Sequence, residues 1–327
     1  MAQTAAVLVF EPIFETDLQP EQYAYRRDRS ALDAVRQVHK LINTGHGEVV
    51  DADLSSYFDT LPHAELLKSV ARRVVDRAML HLLKMWLEAA VEETDERGHQ
   101  RRSTRNRDEG RGTPQGSPIS PLLSNLYMRR FVLGWKKLGH AQRLRAHIVN
   151  YADDLVICCR GGGAEALATM QDVMRKLRLT VNATKTRVCK LPEEKFDFLG
   201  YTFGRCYSPQ TGRTYLGTVP SKKRVSRICE AISSETGRNK TLLDQETVVG
   251  TLNRTMIGWA NYFCLGPVSK AYRAVERHAR KRLRQWLCAK HKMSWPATKQ
   301  FPEAALHDVL GLVRLTRRTR SFPWATS

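Results

Sequence analysis

Apolar positions change period several times along this chain, and each change predicts an element. Ala31, Ala34, Val35, Val38, Leu41 and Ile42 recur at helical spacing behind Ser30, a good N-cap, and Gly45 and Gly47 then break the run. A short strand is expected at Val49-Val50, with acids at its end. From Pro62, the positions Leu66, Leu67, Val70, Val74, Val75, Leu80, Leu83 and Trp86 predict one long helical stretch through Glu88. Residues 92–112 are polar and mostly charged, which predicts an extended hairpin or a loop, and another helix is expected from about Pro118 to Leu138. Two apolar strand-like runs flank Asp153-Asp154, the pattern of a β-hairpin tip. Gly161-Gly162-Gly163 then reads as a turn, residues 164–178 as a helix, and the stretches near 187–190 and 196–204 as strands. Beyond residue 220 the pattern is nearly pure helix. Strands alternating with helices, then helix alone, predict an α/β domain followed by an all-α domain.

The acids give this pattern its chemistry. Tyr151-Ala152-Asp153-Asp154 lies between Ile148-Val149-Asn150 and Leu155-Val156-Ile157, and Asp53 closes the strand expected a hundred residues upstream. A bare Asp-Asp step is usually a solvated turn. Between apolar runs, with a second acid-tipped strand upstream, it reads differently. If the two strands are neighbours, three carboxylates meet at one edge, where their repulsion calls for cations, and hard oxygen donors suit Mg²⁺. Two such ions can stabilise both the attacking and leaving oxygens of an in-line phosphoryl displacement.

Charge narrows the partner. The chain of 327 residues has a formal net charge of +20, which points to a polyanion. Residues 205–327 hold 23 Lys and Arg against 7 Asp and Glu, a net +16, so residues 1–204 carry only +4. The basic charge belongs to one C-terminal module. The cysteines (Cys158, Cys159, Cys189, Cys206, Cys229, Cys264, Cys288) include no C-x-x-C pair, and most read as buried thiols of a reducing compartment rather than a zinc site. With neither a signal-peptide pattern nor a long apolar run, a cytoplasmic, soluble protein is expected.

Five blocks follow one another in fixed order. They are Asp53-Leu54-x-x-x-Phe58-Asp59, Arg111-Gly112-Thr113-Pro114-Gln115-Gly116-Ser117-Pro118 continuing to Asn125, Tyr151-Ala152-Asp153-Asp154, Asn182-x-x-Lys185-Thr186, and Phe196-Asp197-Phe198-Leu199-Gly200-Tyr201. Over almost the whole chain this series resembles the reverse transcriptase and maturase proteins encoded by group II introns, of bacterial type. The resemblance implies a right-hand polymerase: partial fingers and palm over 1–204, a connecting hairpin over 205–218, and a helical thumb or maturase module over 219–327. It makes Asp53, Asp153 and Asp154 the catalytic acids, holding two Mg²⁺ (or Mn²⁺ in their place) with help from the Leu54 carbonyl. Phe58 would lie under the sugar of an incoming dNTP and exclude a 2′-hydroxyl, although a core role is also open to it. Gln115, Gly116 and Lys185 would attend the nucleotide, and Phe198, Leu199 and Gly200 would grip the primer end. Asp51 has no matching role.

The basic module matches too. Gly258-Trp259-Ala260-Asn261-Tyr262-Phe263 and Ala271 to Trp286 resemble the family's thumb. Arg277, Arg280, Lys281 and Arg284 recur at i, i+3, i+4 and i+7, one basic helical face suited to RNA phosphates. Leu312 to Arg320 is a second basic segment, and Trp259 and Trp286 are expected in the core. Two departures stand out. The chain starts in a helix already under way, where relatives carry more of the fingers, and Arg27-Asp28 replaces a usual Pro-Gly. A Cys- or His-rich endonuclease module is not expected after residue 327. The implied activity is RNA-directed DNA synthesis, impaired by the shortened fingers, with group II intron RNA, an RNA template, a DNA primer and dNTPs as partners. The alternative is a maturase that binds and folds intron RNA with an idle polymerase site.

Overall fold

Ser30 caps its helix as its spacing predicts. Its hydroxyl accepts from the Asp33 N–H while the Asp33 carboxylate accepts from the Ser30 N–H, a reciprocal capping box. The computed structural model describes residues 1–94, 98, 100–208, 211–295 and 298–318. The chain divides into two compact units, Met1–Phe196 and Asp197–Ser327. The division falls ahead of the expected boundary at 204, because the strand Tyr201–Tyr207 pairs along its whole length with Thr214–Pro220 and so stays with the second unit.

The first unit begins with α1 (Ala2–Glu15), α2 (Ala31–Asn43), β1 (Glu48–Asp53), α3 (Tyr57–Thr60), α4 (His63–Val70) and α5 (Arg77–Leu87). The helix expected without interruption from 62 to 88 is in fact two. Asp76 accepts from the N–H groups of Ala78 and Met79 and starts a new helix, leaving Val75 87% exposed in the break. The charged stretch folds as the hairpin β2 (Val91–Thr94) and β3 (Gln100–Ser103), followed by the short α6 (Arg105–Glu109). Then come α7 (Ser120–Lys137), α8 (His140–Arg143), β4 (Ala146–Tyr151), β5 (Asp154–Cys159), α9 (Gly163–Lys176) and β6 (Arg187–Lys190).

The main sheet has the order β4-β5-β1-β6, and its neighbours run antiparallel. Val50 and Ala52 of β1 join Leu155 and Ile157 of β5 in a core with Leu123, Tyr127 and Phe131 of α7 and Met170 and Met174 of α9. Strand side chains alternate between faces, so Asp51 and Asp53 stand on the opposite side from Val50 and Ala52. Burying one face against helices therefore fixes which face presents acids.

In the second unit the expected strand 196–204 is broken. β7 (Phe196–Phe198) and β8 (Tyr201–Tyr207) are separated by Leu199 and Gly200, both left-handed at φ 50° and 81°. A Cβ at Gly200 would lie 2.9 Å from Arg224 Nε, so glycine serves both the conformation and the packing. β9 (Thr214–Pro220) completes a three-stranded sheet. Then follow α10 (Lys222–Glu235), α11 (Gln245–Tyr262), α12 (Ser269–Lys290) and the short α13 (Leu315–Arg318). The long helices enclose a core of Ile232, Leu252, Met256, Tyr272, Leu283 and Trp286. Trp286 is buried as expected, and Trp259 packs at the core's edge.

Candidate nucleotidyl-transfer site

The sheet register brings the acids together. Asp53 is the direct partner of Asp154 in the antiparallel β1/β5 pair, and directly opposed residues share a face. Asp153 lies in the tip between β4 and β5, and it and Asp154 are exposed. Asp53 Oδ2 lies 3.5 Å from Lys185 Nζ. Among the described residues, no three carboxylate, imidazole or thiolate groups converge on one point that could hold a metal. By type the donors still fit a hard dication: they are all oxygens, opposed by register and open to solvent.

The segment Asn182–Thr186 clamps Asp53 at its backbone. The Asp53 N–H donates to Thr186 Oγ1 at 3.2 Å, and the Asn182 N–H donates to the Asp53 carbonyl at 2.9 Å. Asn182 Oδ1 accepts from the N–H groups of Thr184 and Lys185, a local turn that carries Lys185 to the acid. Leu54, 5% exposed, bridges to Val181.

The opposite acids hang on Asn150. This fully buried side chain donates to the carbonyls of Ala152 at 2.8 Å and Asp154 at 3.4 Å. Ala152 adopts φ 56°, a left-handed conformation that lets a short tip turn between the strands. The Asn150 backbone is paired in turn with Glu21 and Tyr23, and the Asn125 amide donates to the Ala24 carbonyl at 2.6 Å. Two residues after Tyr23, Tyr25 stands near the tip. Partial burial and the charge of Asp153 push its phenol above the ordinary value. The sequence alone assigns no role to Asn150, Tyr25 or Asn125. Only the fully polar Asn150 within an otherwise apolar strand run could have signalled one.

Phe58 is half-buried, stacked edge-on against Tyr57 at 5.8 Å and packed on the core. Tyr57 is anchored by its hydroxyl to the Ser124 carbonyl at 2.7 Å, and burial raises its phenol well above the usual range. The loop carrying Gln115 is threaded onto this segment. Gly112 N–H donates to Leu61, Thr113 N–H donates to Phe58, and Gly112 (φ 94°) would place a Cβ 3.0 Å from the Asp59 carbonyl. Gln115 Nε2 approaches Asp59 Oδ1 at 3.3 Å, and Gly116, at φ 80°, turns the chain in open space. Ser55, Asp59, Arg105, Arg111, Gln115 and Thr180 help line a cleft of about 530 Å³.

The remaining expected residues lie in the second unit. Phe198 is buried, Leu199 and Gly200 form the left-handed turn, and the Tyr262 hydroxyl donates to the Leu199 carbonyl at 2.8 Å. The four basic residues of α12 do not share one fate. Arg280 pairs with Glu303, and Arg284 Nε donates to the Phe301 carbonyl at 2.8 Å, so these two brace the chain after α12. Arg277 and Lys281 are exposed. Spacing alone put all four on one face. In the second basic segment, Arg314 pairs with Asp308 and Arg318 donates to Asn261, while residues 319 and 320 lie outside the described residues.

Comparison with known proteins places the chain in a family. Residues 2–203 match the reverse transcriptase (RNA-dependent DNA polymerase) family, and residues 225–301 match the maturase-specific domain of group II introns. The chain therefore belongs to the reverse transcriptase family, in its group II intron branch with a maturase domain. It is 32% identical to Protein YkfC of Escherichia coli over 259 residues, 68% of this chain and 65% of YkfC. It is 28% identical over 139 residues to the group II intron-encoded protein LtrA of Lactococcus lactis, 42% of this chain and 22% of LtrA. The chain thus spans less than two thirds of the length of these curated relatives. Among solved structures, a telomerase from Candida albicans in complex with a fragment of telomeric RNA aligns with 98% of this chain and 57% of its own, at a TM-score of 0.47 and 11% identity. No described helix is long and apolar enough to cross a membrane.

Proposed function

We propose that the chain is an RNA-directed DNA polymerase of a group II intron that also binds intron RNA through its maturase domain. The observation that carries this reading is the β1/β5 register, which sets Asp53 directly across from Asp154 with Asp153 at the adjoining tip. Asp53, Asp153 and Asp154, with the Leu54 carbonyl, would hold Mg²⁺. When bound, two such ions supply charge stabilisation at the attacking and leaving oxygens of the displaced phosphoryl group.

The chain's own residues do the rest. Asp53 is kept in place by main-chain bonds from Asn182 and to Thr186, and the opposing acids are kept by Asn150. Lys185, 3.5 Å from Asp53, would neutralise or protonate departing pyrophosphate. Phe58, fixed by its neighbour Tyr57, sets the floor against which a 2′-hydroxyl would collide. Gln115 borders the cleft that would receive dNTP, and Gly116, the next residue, would let the chain approach it closely. An ordered set of acids and their supports favours a working polymerase over an RNA binder with an idle site. Primer extension on an RNA template with Mg²⁺, with intron splicing assayed in parallel, tests the reading. Splicing without any DNA synthesis by the folded protein would leave only the maturase.

A further inference from the structure

A cleft of about 490 Å³ opens in the second unit, far along the sequence from the polymerase motifs. Its floor is Trp286, 1% exposed, whose indole N–H donates to the Lys240 carbonyl at 3.2 Å. One wall is Arg282. Its guanidinium is held by the Thr236 hydroxyl and by the carbonyls of Ser233 and Thr236. Arg282 Nη1 also donates to Gln285 Oε1 at 3.2 Å, which orients that amide and leaves Nε2 as its donor end. At the rim stand Arg238 and Trp295. Arg238 is exposed and makes no ion pair among the described residues, and Trp295 is 49% exposed.

An exposed indole beside a polar cleft is an unusual surface. It combines an aromatic face, an oriented amide and an uncommitted guanidinium in a space large enough for one nucleotide. Those are the three features that take a base out of a single strand: stacking, edge hydrogen bonds and phosphate neutralisation. The net +16 of residues 205–327 favours a polyanion over a free small molecule. Resting on the RNA-binding reading above, we propose that this cleft captures one unstacked nucleobase of single-stranded RNA. Trp295 stacks on the base, Gln285 meets its edge and Arg238 meets the adjoining phosphate.

The test uses the whole chain and two fluorescent probes of equal length, a single-stranded RNA oligomer and its abasic counterpart. Trp295→Ala should weaken binding of the base-bearing oligomer roughly 5- to 150-fold, the range expected for removing one base–aromatic stack, and leave abasic binding unchanged. Trp295→Phe should restore most of the affinity, whereas Trp295→Leu, apolar but unable to stack, should not. Arg238→Ala should weaken both probes and lower the log–log salt slope by about 0.7. Equal effects of Trp295→Ala on both probes, or none on either, would overturn the cleft while RNA binding by the unmodified chain still stood. Failure of the unmodified chain to bind the RNA probe would instead sink the RNA-binding reading and the cleft with it. Trp295 is solvent-facing, and matched melting curves for the variants establish that weaker binding is not unfolding.

Discussion

Asn150 donates its side-chain amide to the Ala152 carbonyl at 2.8 Å, so a buried residue of β4 holds the turn that presents Asp153. Asn150→Ala removes this bond and a longer one to Asp154, stranding acceptors in a low-dielectric setting at a cost of about 1–3 kcal/mol. The variant is expected to unfold at lower urea concentration and, below its transition, to synthesise DNA at least tenfold more slowly. Wild-type synthesis by folded Asn150→Ala would show that the tip needs no such support.

Asp153→Asn separates chemistry from binding. The substitution keeps size and removes a charge at an exposed position, so folding should be undisturbed. DNA synthesis with Mg²⁺ should fall below detection while affinity for RNA stays within about twofold, because on the proposed reading the carboxylate would act on the transition state rather than on the template. Near-normal primer extension by this variant would remove Asp153 from the site.

For Phe58 the two roles open in the sequence are separable by measurement. Half-buried and packed on the core, it should lose roughly 2 kcal/mol of stability on truncation to alanine, less than a fully enclosed ring. A role beneath the sugar adds a second effect, a fall in discrimination between dNTP and rNTP. Steady-state kcat/KM for the matched pair decides it: lowered stability with unchanged discrimination would make Phe58 a core residue alone.

The divided basic face of α12 yields a paired comparison. Neutralising exposed Arg277 and Lys281 should leave melting unchanged and reduce the salt slope of RNA binding by about 0.7 for each RNA phosphate that is no longer neutralised. Neutralising Arg280 and Arg284 should lower the melting temperature, since each braces the segment around Phe301–Glu303. If Arg277 and Lys281 leave the slope untouched, the face is merely solvated.

What the sequence disclosed and what it hid follow a physical rule. Ser30 as an N-cap, the α2 periodicity and the acids between apolar runs are local patterns, and each reappears where expected. The break at Asp76 was hidden because apolar spacing continues through Val74 and Val75, while one carboxylate capping two N–H groups decides the matter. The split of α12 was hidden for a similar reason. Helical spacing places Arg277 and Arg284 on one side, but the partners of Arg280 and Arg284 come from a later stretch of chain. Within the candidate site, the acids proposed to hold metal were legible because their chemistry is in the side chain. Asn150, Asn182 and Thr186 act through bonds to main-chain groups that no sequence pattern announces.

Asp53 and Asp153 rest on different foundations. β1 is an interior strand, laddered to β5 on one edge and to β6 on the other. Its first residue, Glu48, accepts from the Gly163 N–H at the start of α9. Asp53 therefore ends a strand laddered to β5 throughout and to β6 over its first four residues, and the amides of that doubly paired part should be among the slowest to exchange with deuterium. Asp153 stands in the tip between β4 and β5, outside both ladders, where the Asn150 amide donates to the Ala152 carbonyl. Exchange across the site is therefore expected to be uneven, slow in the β1 backbone that ends at Asp53 and faster at the tip that carries Asp153.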